Sequence, residues 1–431
     1  MANVDKFLDR EQIEGTQLRK IRALLEALVP ANPFYTHKLG KQFRPDIESL
    51  RQFSAALPFT TRHELVRDRL EHPPYGTDLT CPLETYVRCH QTSGTTTVPI
   101  RWLDTKEGWD HIVDNWVQIL HAAGITPKDR FFFAFSFGPF LGFWSALDAV
   151  LRLGCFCFPG GSMTSIARAQ AILDNRITVL CCTPTYAQHL GEAAQQKGLN
   201  LHSSRVRLII VAGESGGSIP ATRARIEQLW PGATVFDHHG MTEVGPVSYQ
   251  CPARAGALHV LESAYLAEVV DPQSGAAVAP GGTGELVLTT LDRVASPLVR
   301  YRTGDLVKTR MPGRCSCGRH ELALEGGILG RTDDMVIVRG VNVYPSLVEE
   351  LVRACSDVAE YRMQVDCRQA MVELSLEVEP VANSGEASSL QAHLEQSFQS
   401  ALNLRVAIKV LAPGSLPRFE MKSQRWVRVT E

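Results

Sequence analysis

No stretch of this sequence stays apolar for the roughly 18 residues that a membrane-spanning helix needs. The most apolar segment, Phe131 to Trp144, is interrupted by Ser136, Gly138, Pro139 and Gly142. The opening residues, Met1 to Arg10, are mixed in charge and lack an apolar core, so no secretory leader is expected. Neither charge sign is in excess: 44 Lys and Arg stand against 46 Asp and Glu, a net −2. That balance leaves no electrostatic footprint for nucleic acid or an anionic membrane. A cytoplasmic location is the expectation. The chain also lacks internal repeats, a G-K-[ST] phosphate loop, and any G-x-G-x-x-G between a strand and a helix, which argues against a P-loop NTPase or a Rossmann dehydrogenase.

At 431 residues the chain is too long for one core, and 44% apolar with 21% charged residues is ordinary for a globular protein. Residues 8–30 carry Leu18, Ile21, Leu24, Leu25 and Leu28 at helical spacing and read as an N-terminal helical arm. From about residue 130 strand and helix patterns alternate. Strands are expected at Arg130–Phe135, Cys155–Phe158, Ile177–Cys182, Val206–Val211 and Thr234–Phe236. Such alternation predicts βαβ crossovers and a mainly parallel, helix-covered sheet, with ligands beyond the carboxyl ends of the strands. Gly213–Glu214 and Asp237–Glu243 are placed there by that logic. Short strands with Gly and Pro turns then suggest a small β subdomain near 257–330. A compact α/β satellite of roughly 100 residues closes the chain. The expected fold class is therefore α/β, with a body over 1–330 and a small C-terminal domain over 331–431.

The clearest chemical signal is Gln91 to Pro99, in which Thr92, Ser93, Thr95, Thr96 and Thr97 surround Gly94. A glycine turn aims backbone N–H groups at an anion, and the hydroxyls add donors. Alone, such a loop is as readily a solvated turn.

Four further segments make the loop more telling, namely Asp237-His238-His239-Gly240-Met241-Thr242-Glu243, Tyr301-Arg302-Thr303-Gly304-Asp305, Gly330-Arg331-Thr332-Asp333-Asp334, and Pro417-Arg418-Phe419-Glu420-Met421-Lys422. With Asp46 to Leu65 and Val341 to Pro345, these resemble in order and spacing the core motifs of the adenylate-forming superfamily. The likeness is nearest the phenylacetate–CoA ligase branch. It implies an ATP-dependent, AMP-forming activation of a carboxylic acid to an acyl-adenylate, followed by transfer to CoA. It also implies roles. Thr92, Ser93, Gly94, Thr95 and Thr96 would cradle phosphates, and Gly213 and Glu214, with Asp237 to Met241, would line the nucleotide pocket. Thr242 would touch the α-phosphate and Glu243 would hold Mg²⁺. Asp305 would accept the ribose hydroxyls and Arg331 would support ribose or phosphates. Asp333 would be the hinge, and Lys422 would reach both the substrate carboxylate and the α-phosphate. Two positions depart from the pattern. Thr97-Val98 stands where the loop usually continues with Gly and Lys, and His239 stands in place of an aromatic Tyr, as a pocket wall.

Most of the 11 cysteines, such as Cys155, Cys157, Cys181 and Cys182, sit in apolar runs as small hydrophobes. Cys315 and Cys317 lie instead in a Gly/Pro-rich turn, with Cys251 and His259 upstream. Two ligands from each of two loops can build a closed tetrahedral zinc site. Unpaired core thiols are the alternative, and His320 is an outside candidate for the fourth ligand. The resemblance favours structural Zn²⁺, because some relatives carry such a set. It also points to Phe135, Phe137 and Phe140 as acyl-pocket residues for an aromatic acid, where packing alone would make them core. No basic cluster marks a CoA phosphate site; Arg353, Arg362, Arg368, Arg405 and Lys409 are scattered. The acceptor expected from the resemblance is CoA, with an amine- or alcohol-acylating ligase as the alternative and a non-catalytic nucleotide-binding protein as a third reading. A homodimer is compatible with the sequence. Nucleic-acid and membrane partners are not expected.

Overall fold

The computed structural model describes residues 7–40, 43, 46–92, 99–338, 341–366, 368, 372–381, 386–419 and 424–429. The fold class is the expected α/β, with extensive sheet and a smaller C-terminal α/β domain. Two compact units are present, Met1–Ser162 with Phe236–Gly326, and Met163–Val235 with Gly327–Glu431.

In the first unit, strands Tyr265–Val270, Thr283–Thr290, Tyr301–Thr309, Ala323–Arg331, Arg254–Val260, Gly245–Cys251 and Thr234–Met241 are neighbours in that order. Their ladders Tyr265↔Thr290, Leu288↔Tyr301, Ala323↔His259 and His238↔Tyr249 are antiparallel. Parallel pairing occurs between Arg130–Phe133 and Phe156–Pro159. The strands after Ala257 therefore continue the sheet that starts at Thr234, which alternation alone did not reveal.

Two strands are longer than the sequence suggests, and this matters for the site. The short strand expected at Thr234–Phe236 runs to Met241, because it pairs with Gly245–Cys251 as far as Met241↔Gly245. Asp237 to Met241 thus lie in a strand and not beyond its end. Likewise one of the short strands expected within 257–330 starts at Tyr301 and continues through Asp305 to Thr309.

Helices cover this sheet with regular apolar faces. Helix Arg10–Leu28 opens with a capping box from Asp9 and Gln12 and buries Ile13, Ile21, Leu24, Leu25 and Leu28. That face packs against Leu266, Leu291 and Val299. Helix Lys106–Ala122, capped by Thr105, buries Trp109, Ile112, Val113, Trp116, Ile119 and Leu120, a 3.6-period stripe. No helix among the described residues is long and apolar enough to cross a membrane.

The second unit holds the parallel pair Val179–Cys182 and Leu208–Val211 with helices Ser165–Asp174, Pro184–Gln196 and Pro220–Leu229. It also holds a four-stranded sheet in the order Ala407–Val410, Glu373–Pro380, Val358–Asp366, Trp426–Val429. Helices Pro345–Arg353 and Ala387–Leu402 contribute Val348, Val352, Leu394 and Phe398 to a core with Met363 and Leu376. A buried charge network sits beside that core. Arg425 donates to Glu360 at 2.7 Å and to Glu349 at 3.5 Å, and Arg353 donates to both carboxylates at 3.2 Å. Arg425 also reaches the Thr185 hydroxyl at 3.3 Å. Two guanidinium groups against two carboxylates leave no net buried charge, which is the condition for tolerating such a network.

Candidate active site

The strands Thr234–Met241 and Gly245–Cys251 are joined by a tight turn carrying Thr242 and Glu243. Gly240 is required there: a Cβ would stand 2.8 Å from the carbonyl oxygen of Gly245. The turn is held from behind by two buried side chains. Arg293 donates to the Glu243 carbonyl and is itself gripped by Asp104, Nε to Oδ1 at 2.6 Å and Nη2 to Oδ2 at 2.9 Å. The Tyr265 hydroxyl donates to the Val244 carbonyl at 2.7 Å, its proton retained because burial pushes the phenol up. Both carbonyls fix the backbone of the turn that carries Glu243. Arg293→Met should lower stability by about 3–5 kcal/mol, since Asp104 would stay buried without its cation. The shift of the urea unfolding midpoint measures it.

On the other face of the Glu243 carboxylate lies Arg62, with Nη1 3.4 Å from Oε1. The same guanidinium donates to the Thr92 hydroxyl at 3.5 Å. Arg62 therefore connects the first residue of the hydroxyl-rich loop to the acidic motif, though it lies 181 residues before Glu243. Arg62 falls within Asp46 to Leu65, a stretch that carried the resemblance but to which no individual role was assigned. Ser93, Gly94, Thr95, Thr96 and Lys422 lie outside the described residues.

The adjacent histidines have opposite environments, as alternation along a strand dictates. His238 points into the core. Its ring centroid is 4.3 Å from that of Trp116, and Nδ1 is 2.7 Å from the Ser248 carbonyl, as a donor. Burial pulls its pKa down to about 3, so the imidazole is neutral. The contribution of His238 to any ligand is thus through its backbone. His239 faces the other way, with Nε2 3.1 Å from Asp305 Oδ2, while its Nδ1 is buried without a partner among the described residues. Asp305 is aimed by a bulge. Gly304 has φ +77°, open to glycine at little cost, and the N–H of Asp305 donates to Thr303 Oγ1 at 3.0 Å. The residues expected to wall the pocket and to hold ribose are therefore paired, which the motifs did not indicate.

Phe135, Phe137 and Phe140 are half-buried and pack edge to face, with Phe135 centroids 6.0 Å from Phe137 and 5.3 Å from Phe140. Gly142 makes room for them: its Cβ would sit 2.3 Å from the Phe135 ring.

In the second unit, Gly213 follows strand Leu208–Val211 with φ +95°. The Glu214 carboxylate accepts the N–H of Thr185 at 2.8 Å, in the first turn of helix Pro184–Gln196, where a negative charge suits the helix dipole. Arg331 Nε is 3.0 Å from Asp333 Oδ1, and Arg428 donates to the Asp333 carbonyl at 2.5 Å. The segment leading to Lys422 is anchored by Glu379. Burial raises that carboxyl, but Arg418 at 2.6 Å and the N–H groups of Leu416 and Gly414 hold it down at about 2.

Apart from these, Cys251, His259, Cys315 and Cys317 place four ligand atoms within 4.8 Å of one another. Cys251 and Cys315 sulfurs are 3.6 Å apart, and Cys317 Sγ is 3.3 Å from His259 Nε2. Tetrahedral zinc with its usual bond lengths requires about 3.8 Å between sulfurs and about 3.5 Å from sulfur to nitrogen. The donor set fits. His320 is not among these four ligands.

A cavity of about 350 Å³ lined by Val87, Arg88, Trp109, Asp148, Leu151 and Arg152 contains none of these residues. Arg88 and Asp148 satisfy each other there at 2.8 Å.

Comparison with known proteins accounts for the whole chain. A model of the AMP-binding enzyme family matches residues 90–291, and one of the AMP-binding enzyme C-terminal domain matches 340–428. The phenylacetate–coenzyme A ligase of Thermus thermophilus is 32% identical over 96% of this chain and 95% of its own. That of Escherichia coli is also 32% identical, over 96% and 94%. Among solved structures, 2-hydroxyisobutyryl-CoA ligase in its postadenylation state aligns with TM-score 0.93 at 27% identity, covering 100% of this chain and 94% of that one. An open conformation of the same ligase gives 0.75 at 27% identity, covering 99% and 95%.

Proposed function

The chain belongs to the AMP-binding enzyme family, in the phenylacetate–CoA ligase branch, and from that premise we propose that it is an acid–thiol ligase acting on a carboxylic acid, ATP and CoA. A carboxylate oxygen attacks the α-phosphorus of ATP, the bond to the β-phosphate oxygen breaks, and pyrophosphate leaves. The thiol sulfur of CoA then attacks the acyl carbon of the adenylate, and AMP leaves. The observation that carries this reading at the level of the site is the meeting of Thr92 with Glu243 through Arg62, beside the His239–Asp305 pair.

The chain's own residues have distinct tasks in this scheme. Attack of one anion on another needs positive charge and donors at the developing negative charge. Lys422 is assigned that place, and the Thr242 hydroxyl donates to the α-phosphate. Asp305 accepts the ribose hydroxyls, with His239 fixing the orientation of its carboxylate. Arg331 supports the nucleotide, and Asp333 serves as the hinge. The different TM-scores of the two conformations of one relative favour such a hinge. A single carboxylate, Glu243, fits Mg²⁺, which takes few protein ligands and the rest from phosphates and water. That ion would offset charge on the phosphates. His239→Phe is expected to raise KM for ATP about tenfold with little change in kcat, as Asp305 loses a charge-assisted partner. Initial rates at varied ATP check it.

Half-buried Phe135, Phe137 and Phe140 support an aromatic acid as substrate. The matching donor distances at Cys251, His259, Cys315 and Cys317 support a structural Zn²⁺ site, whose four ligands leave no open position for hydrolysis. Consumption of free CoA thiol, dependent on both acid and ATP, tests the acceptor. AMP release with an amine and none with CoA would replace the thioester reading by amide formation.

A further inference from the structure

The buried charge network of the second unit reaches one residue far outside the C-terminal sheet. Arg425 grips Glu360 with two nitrogens, Nε to Oε1 at 2.7 Å and Nη2 to Oε2 at 3.1 Å, which fixes the plane of the guanidinium. Its Nη1 is left for two acceptors, Glu349 Oε2 at 3.5 Å and the Thr185 hydroxyl at 3.3 Å. Glu360 belongs to strand Val358–Asp366 and Glu349 to helix Pro345–Arg353. Thr185 stands 240 residues earlier, in the first turn of helix Pro184–Gln196. Arg425 and Arg353 already balance Glu349 and Glu360, so the hydroxyl is not required to bury these charges. What it adds is a link between the network and that helix.

Both ends of the link lead to residues with tasks in adenylation. On one side the N–H of Thr185 donates to Glu214 at 2.8 Å, and Gly213 and Glu214 are the pair assigned to the nucleotide pocket. On the other, Arg425 comes three residues after Lys422. The Arg425 carbonyl accepts the N–H of Met363 at 2.8 Å, so its backbone is fastened where strand Trp426–Val429 begins. Arg418, four residues before Lys422, is held by Glu379 at 2.6 Å. The carboxylate of Glu192, on the same helix as Thr185, also favours the positive charge of Arg418. Both flanks of residues 420–423 are therefore secured, and helix Pro184–Gln196 takes part in each anchor.

We propose that Thr185 is a positioning residue for acyl-adenylate formation, whose hydroxyl docks Arg425 and so sets the place of Lys422 at the α-phosphate. It acts on the first half-reaction alone, because Lys422 is assigned to the attack of the carboxylate and not to that of the thiol. One hydrogen bond to a charged group can bias such docking by about tenfold and still be broken in each turnover. This rests on the acyl-adenylate reading, but the two are separated by timing the half-reactions independently.

The experiment compares wild type, Thr185→Val and Thr185→Ser. Single-turnover formation of labelled acyl-AMP without CoA reads the first half-reaction, and thioester formation from added acyl-AMP and CoA reads the second. Valine keeps the N–H that Glu214 accepts and removes the hydroxyl, and thermal unfolding serves as the folding control. Thr185→Val should slow acyl-AMP formation about tenfold and change thioester formation by less than about twofold. Thr185→Ser, which retains the hydroxyl, should form acyl-AMP within about twofold of the wild-type rate. In Arg425→Lys, which loses the branch that reaches Thr185, adding Thr185→Val should slow the first half-reaction no further. Equal slowing of both half-reactions would mean that Thr185 only supports the fold, and would overturn the proposal. So would a wild-type rate of acyl-AMP formation in Thr185→Val, or additive losses in the double variant. A wild type that forms no acyl-AMP with any acid would instead sink the acyl-adenylate reading, and this proposal with it.

Discussion

Lys422→Ala is expected to slow acyl-adenylate formation by about 10³-fold while leaving ATP binding nearly intact. The reason is the charge at the reacting centre. A carboxylate approaches an α-phosphate that is itself anionic, and the pentacoordinate transition state concentrates that charge. A lysine acting there is felt most in the transition state, so its loss appears in kcat more than in KM. The substitution should not disturb folding. The segment before it is held independently by Glu379, which takes both Arg418 and the N–H groups of Leu416 and Gly414. Single-turnover formation of labelled acyl-AMP gives the rate, and a thermal melt gives the folding control. A variant that forms acyl-AMP at the wild-type rate would remove Lys422 from the reaction.

Removal of metal is expected to have the largest effect on stability. Cys251 ends one strand and His259 lies in the next, while Cys315 and Cys317 lie between strands Tyr301–Thr309 and Ala323–Arg331. One ion would therefore clip three segments of the first unit together. Without it, three thiols and an imidazole crowd the site with no ion to hold them together. Burial pushes the Cys251 thiol up to about 12, whereas hydrogen bonds from the Cys317 N–H and neighbouring side chains outweigh burial and hold Cys315 down at about 7. Chelation should lower the melting temperature by about 10 °C or more, because metal binding is folding free energy. Cys317→Ser should do the same and reduce bound zinc. Elemental analysis showing much less than one zinc per chain would contradict the assignment.

Much of this was legible in the residues. Periodicity gave the helix Arg10–Leu28 its buried face, and Pro184, Pro220 and Pro345 marked three helix starts. Cys251, His259, Cys315 and Cys317 were selected by their turn-rich surroundings, and they come together. What the residues did not announce depends on pairing between distant strands. The extension of Thr234–Met241 is set by its partner Gly245–Cys251, and local sequence does not fix a strand's end when hydrogen bonding to another strand does. The separation of His238 from His239 follows from that same extension, since only in a strand do neighbours face opposite ways. Arg62, Asp104 and Arg293 were invisible for a related reason. Each is an ordinary charged residue whose role exists only through a contact far along the chain.

The central claim, that this chain makes an acyl-adenylate, is tested most directly by acid-dependent exchange of labelled pyrophosphate into ATP. A panel of arylacetates, benzoates and medium-chain fatty acids should be run without CoA, so that only the first half-reaction is seen. The account predicts exchange with at least one acid, strongest among the aromatic ones. Exchange with fatty acids alone would contradict the pocket assignment of Phe135, Phe137 and Phe140. No exchange with any acid, from a folded protein that binds ATP, would contradict the claim itself.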